Sequence, residues 1–145
     1  THYLVMHGVF QDVASIVSLS YIAAAKVTFH PDRNISIAKA ALERITIELA
    51  DELGRKHAIR VNAIRFSPYM GSKAGNATLK IEDVATSNKM SPLGNALPVD
   101  LAYEICHLFR PESRITGEIR HVACRYYISG YDFTCHLYTF YTSAY

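Results

Sequence analysis

The feature that most limits what this chain can fold into is a strand, a long helix and a second strand packed into residues 14–64. Ala14–Ser20 (ASIVSLS) is a short apolar, β-branched run and reads as a buried strand. Tyr21–Lys26 reads as a loop or short helical turn. Phe29–Asn34 (FHPDRN) carries a proline and cap-type residues and should lead into a helix. Ile37, Ala41, Ile45, Leu49 and Leu53 then recur every fourth residue, flanked by Ala38, Leu42 and Ala50. This spacing predicts one buried helix stripe, with Glu43, Arg44, Glu48, Asp51 and Glu52 on the opposite, solvated face. Gly54 is the expected stop, and Arg55, Lys56 and His57 suit the negative end of the helix dipole. Ile59–Ile64 (IRVNAI) reads as the second strand. Two strands joined through a helix in so few residues form a βαβ unit, which calls for a right-handed crossover and a parallel sheet.

The rest of the chain is less regular. Ser67–Pro92 holds Pro68, Gly71, Gly75, Asn76 and Pro92 with weak periodicity, and is expected to be a long loop, of the kind that is either functional or disordered. The irregular stretch should continue over Asn88–Leu97. Val99–Phe109 is a second predicted helix, with Leu101, Ala102, Ile105 and Leu108 on one face. Thr116–Gly117 should turn the chain into a strand over Glu118–Ala123. The chain thus divides into an N-terminal segment (1–13), an α/β body (14–125) and an aromatic tail (126–145). The tail includes Tyr138, Phe140, Tyr141 and Tyr145, rings with a large apolar area and, in tyrosine, a polar tip. Such a tail either folds back on its own domain or docks on another chain, and these four residues are the candidate partner contacts.

Composition removes several functions. With 145 residues, half of them apolar, the chain is one domain with enough material for a core. A formal charge of +2 gives no argument for nucleic acid or an anionic membrane. No apolar run reaches the length of a membrane span. The three cysteines, Cys106, Cys124 and Cys135, are odd in number and show no CxxC, which fits a reducing compartment. No metal site is expected, because Cys106–His107, His121 with Cys124, and Cys135–His136 lie too far apart for a standard ligand motif. Ser18 and Ser20 lack the GxSxG context of a nucleophile elbow. Arg55, Lys56, His57 and Arg60 read as a helix end and a strand start. Thr1 in first place fits either a processed chain or part of a longer one, and is compatible with a removed transit peptide that the sequence itself does not show.

Ser15–Ala24 (SIVSLSYIAA), Ala38–Glu43 (AKAALE), Gly54–Ile64 (GRKHAIRVNAI) and Pro68 follow one another in an order and spacing that resemble the enoyl-acyl-carrier-protein reductases of the short-chain dehydrogenase/reductase superfamily, above all the plastid and bacterial forms. Ser91–Leu93 (SPL), Ile115–Glu118 (ITGE) and Tyr126–Gly130 continue the series. The resemblance runs over roughly residues 12–131 and implies an α/β, partial Rossmann-like domain, a doubly wound parallel sheet without its N-terminal nucleotide-binding half. Residues 1–14 contain a single glycine, Gly8, and no glycine-rich phosphate loop.

The resemblance also implies a site. In the family a lysine binds the nicotinamide ribose and a tyrosine seven positions earlier stabilises the enolate. Lys39 matches the lysine, and the tyrosine position falls on Asp32. An ionised carboxylate has no proton to donate and would repel a developing enolate. Tyr21 matches a second tyrosine near the acyl substrate, and Ser20 and Pro68 match positions beside the cofactor. Three further departures surround them. Arg65–Phe66–Ser67 replaces a small, glycine-containing turn where the backbone approaches the nicotinamide. Arg33–Asn34–Ile35 replaces a glycine-rich stretch, and Ala123–Cys124–Arg125 an aspartate-containing, glycine-ended turn. The expectation is a non-catalytic subunit derived from a reductase, without a cofactor, bound to other protein subunits of a larger assembly in a plastid or mitochondrion. The alternative is an NADH-dependent enoyl reductase of fatty acid synthesis whose first half lies elsewhere, with NAD as cofactor. A residual acyl-chain binding module, with 67–92 covering the chain, ranks third.

Overall fold

A computed structural model describes residues 7–8, 14–27 and 33–123 of the chain. Strand β1 is Ser15–Tyr21, followed by a 3-10 turn over Ile22–Ala24. Helix α1, Arg33–His57, returns the chain to strand β2, Arg60–Phe66. Two short helices follow, α2 (Lys73–Thr78) and α3 (Ile81–Met90), then α4 (Pro98–Phe109) and strand β3 (Ile119–Val122). The strands form one parallel sheet in the order β1-β2-β3. This is the expected α/β architecture with its βαβ unit.

Side chains alternate across a strand, so residues of opposite parity identify the two faces of the sheet. On one face, Ile16 and Val61 pack against Ala50, Leu53 and Leu49 of α1. On the other, Ser15 Oγ and Arg60 Nη1 both donate to the Leu108 carbonyl at the C-terminal end of α4, at 3.1 and 2.6 Å. The sheet therefore lies between α1 and α4. Arg60 is 7% exposed, yet its Nε and Nη2 have no hydrogen-bond partner among the described residues. Asn62, fully buried on the α4 side, ties the approach to β3 by donating to the Ile115 carbonyl and accepting from the Glu118 N–H.

Three expectations need correction. Gly54 does not stop α1, which runs three residues further to His57. Ala58 takes the left-handed conformation (φ 53°) that glycine usually supplies, and its N–H closes on the Gly54 carbonyl. The helix also presents a different face. Ile37 and Ile45 are 69% and 53% exposed, while Glu43, Thr46, Ala50 and Leu53 are buried. Helix α1 carries two apolar stripes. The inner one carries Leu49, Ala50 and Leu53 into the core and brings Glu43, which periodicity assigns to solvent, onto a cationic partner in the sheet. Finally, residues 67–92 are not one loop. Ser72 caps α2 by accepting the Gly75 N–H at 2.9 Å, and Asp83 reaches back to the Lys80 N–H to start α3. A side chain at Gly75 would overlap the Tyr69 carbonyl oxygen, so this close approach needs glycine.

Helix α4 matches its predicted range to one residue, although Ala102 of its expected inner face is exposed. Gly117 supplies the positive φ, 74°, that turns the chain into β3.

Candidate functional site at the C-terminal ends of the strands

Parallel α/β sheets gather their functional groups where the strands end, and the sequence places its candidates there. Ser20, Arg65 and His121 are register partners across β1, β2 and β3, so their side chains share one face. That face is covered by α1, which brings Glu43 over them. Ser20 Oγ donates to Glu43 Oε1 at 2.6 Å. Arg65 meets the same carboxylate with two donors, Nε to Oε1 at 2.7 Å and Nη2 to Oε2 at 2.5 Å. The Arg65 and Glu43 side chains are only 15% and 10% exposed, so this is a buried bidentate ion pair. The third nitrogen, Nη1, lies 3.1 Å from His121 Nε2.

Protonation follows from these contacts. Burial alone raises the pKa of the Glu43 carboxyl, but the hydrogen bonds from Arg65 and Ser20 and the Arg65 charge outweigh it, leaving it below the usual carboxylate range. Burial and the Arg65 charge push His121 below the ordinary histidine value, with Glu43 opposing them.

Lys39 stands one helical turn before Glu43 on α1, and its Nζ donates to the Leu19 carbonyl at 2.7 Å, beside the end of β1. Tyr21, the last residue of β1, is half-buried; burial, with the Asp83 charge adding to it, pushes its phenol above the ordinary tyrosine value. Tyr21 therefore keeps its proton at neutral pH. Pro68 and Ser67 are buried just after β2, and Ser67 Oγ accepts the Ala96 N–H at 3.1 Å. Ser20, Tyr21, Lys39 and Pro68 are thus gathered at one end of the sheet. Asp32 and the tail residues Tyr138, Phe140, Tyr141 and Tyr145 lie outside the described residues, as do Cys124 and Cys135. Cys106 is exposed on α4, and among the described residues no three His, Cys, Asp or Glu side chains come together as metal ligands.

Sequence reasoning missed Glu43 and His121 as parts of this site and treated Arg65 only as an obstruction. A signal was present. In a βαβ unit the helix packs on its two strands, and an acidic residue one turn after Lys39 faces the end of β2, where the basic Arg65 stands.

A parallel sheet between helices, with Tyr21 ending one strand and Lys39 on the following helix, is a Rossmann-like α/β arrangement of the kind the short-chain dehydrogenase/reductases share. Within it, a family model described as Enoyl-(Acyl carrier protein) reductase matches residues 2–124, and the chain belongs to that family. It is 38% identical over 124 residues to the enoyl-[acyl-carrier-protein] reductase [NADH] FabI of Rickettsia bellii, covering 82% of this chain and 45% of that protein. A chloroplastic enoyl-[acyl-carrier-protein] reductase [NADH] of rice is 42% identical over 85 residues, covering 58% of this chain and 23% of the relative. The FabI–NADH complex from Alistipes finegoldii superposes with a TM-score of 0.82 at 30% identity, over 89% of this chain and 46% of that one. The chain spans less than half the length of these relatives.

Proposed function

We propose that this chain is a non-catalytic member of the enoyl-acyl-carrier-protein reductase family, serving as an accessory subunit of a larger protein assembly. The observation that carries this reading is the Arg65–Glu43 ion pair. In the family the turn after this strand is small, so that a nicotinamide can lie against the backbone. Here Arg65 fills the strand end and is held there by Glu43. Phe66 follows, half-buried, with its ring edge-on to Tyr69 at a centroid distance of 6.4 Å. The bulk of these side chains, where the resemblance implies a close backbone approach to a nicotinamide, supports the non-catalytic reading. Asp32, in place of the family's proton-donating tyrosine, supports the same reading. The subunit role is supported by the exposed apolar side chains of α1 (Ile37, Ile45, Ile47) and α4 (Val99, Tyr103, Phe109). The chloroplastic relatives in rice and Arabidopsis favour a plastid as its compartment.

A second reading is favoured by Tyr21 and Lys39. Both stand at the strand ends, the first with its proton retained and the second with its amine beside the end of β1. On this reading the protein is an NADH-dependent enoyl reductase, with Tyr21 and Lys39 at the acyl and ribose positions. NADH would supply the hydride; Tyr21 would hold the acyl carbonyl through its hydroxyl.

The native protein, purified from its source, decides between the two. NADH fluorescence titration and reduction of a crotonyl thioester should both give background values. Saturable NADH binding together with turnover that Lys39→Ala abolishes would replace the first reading with the second.

A further inference from the structure

We propose that Arg65 and His121 form an acid-released catch that seats the last described strand, β3, on the sheet at neutral pH. Such a catch would operate whether or not the protein is catalytic. Among the described residues, strand β3 is four residues long and pairs with β2 over Ile119–Val122. Its side chains are fastened on both faces. On the α4 side, Arg120 Nε donates to Glu104 at 2.8 Å. On the α1 side, His121 Nε2 lies 3.1 Å from Arg65 Nη1.

A guanidinium has only donors and stays charged at every pH of interest. For this contact to be a hydrogen bond, His121 must be neutral, with its proton on Nδ1 and the Nε2 lone pair facing Arg65. Arg65 cannot swing away, because Nε and Nη2 are both committed to the buried Glu43 carboxylate. Protonating His121 therefore replaces an acceptor with a cation against a fixed cation. Among the described residues, the charged groups facing His121 include Arg65 on β2, Glu43 on α1 and Lys26 after the 3-10 turn. Arg65 and Lys26 are cations, and the Glu43 carboxylate is engaged by Arg65 and Ser20. Arg120 and Glu104 belong to the opposite face. The downward displacement of the His121 pKa agrees with this balance.

The sign follows from linkage. A histidine with a depressed native pKa stabilises the seated state fully above its ordinary value of 6.5, and that contribution is lost as pH falls through the native pKa. Glu43, itself depressed, stays ionised over this window and keeps Arg65 in place.

The test is amide hydrogen exchange on the full chain at pH 7.5 and 5.5, corrected for the intrinsic rate. Protection of residues 119–122 should fall with acidification, by at most about tenfold per pH unit, while β1 stays protected. His121→Gln keeps a neutral acceptor facing Arg65 and should abolish the pH step. An unchanged step in His121→Gln would overturn the proposal. A second measurement, NMR titration of the His121 ring, should give a midpoint below 6.5 that rises in Arg65→Gln; a midpoint indifferent to Arg65 would also overturn it.

Discussion

Strand β2 begins on one arginine and carries a second just before its last residue, and the two are treated in opposite ways. Arg60, at the N-terminal end, faces α4 and donates one hydrogen bond to the Leu108 carbonyl, leaving two buried donors without partners among the described residues. Its neutralising partner is only the partial negative charge of a helix C-terminus. Arg65, at the C-terminal end, faces α1 and gives two donors to a buried carboxylate and the third to His121. The same side chain thus acts as a helix cap at one end and as the centre of an ionic network at the other.

This contrast can be broken by mutation. Arg65→Met strands the Glu43 carboxylate away from water and should cost about 3 kcal/mol, since removing one partner of a buried pair is expensive. Urea denaturation with an unchanged m-value would measure it. Arg60→Met should change stability by no more than about 1 kcal/mol in the same assay. It forfeits one hydrogen bond but also removes two unsatisfied donors. Equal costs at the two positions would dissolve the contrast.

Acid should separate the ends further. Both His121 and Glu43 have native pKa values below their ordinary ones. Each therefore adds stability above its unfolded pKa that is lost as pH falls through its native value. Unfolding free energy should decline first as pH drops below the ordinary histidine value, then again below the carboxylate range. Arg65→Met should flatten both declines, whereas Arg60→Met should leave them in place. The smallest effect lies beside Arg60. Ala58 holds a left-handed conformation that costs an L-residue about 1–2 kcal/mol, and Ala58→Gly should relieve it. The greater freedom of glycine in the unfolded chain offsets part of the gain, leaving a stabilisation of about 0.5–1 kcal/mol, readable as a small rise in Tm.

Much of the frame was legible because it rests on local patterns. The β-branched runs gave β1 and β2, the four-residue repeat gave α1, and Thr116–Gly117 marked the turn into β3. The orientation of α1 was not legible. Periodicity finds apolar stripes, and this helix has two. The one that faces the sheet brings Glu43 onto Arg65, a contact 22 residues apart that no local window contains. The helices within 67–92 were missed for a different reason. At 6 and 10 residues they are too short to show a firm period, and their signals are single caps at Ser72 and Asp83. At the site, family resemblance named Ser20, Tyr21, Lys39 and Pro68, which the structure gathers at one end of the sheet. It did not supply the network around Arg65, because that network joins side chains of four different elements far apart in sequence.

A double-mutant cycle on Glu43→Gln and Arg65→Met, followed by chemical denaturation of the full chain, measures the strength of that network directly. The account predicts a coupling energy of about 2 kcal/mol or more between the two side chains. A coupling below about 0.5 kcal/mol, the level expected of an exposed pair, would contradict it.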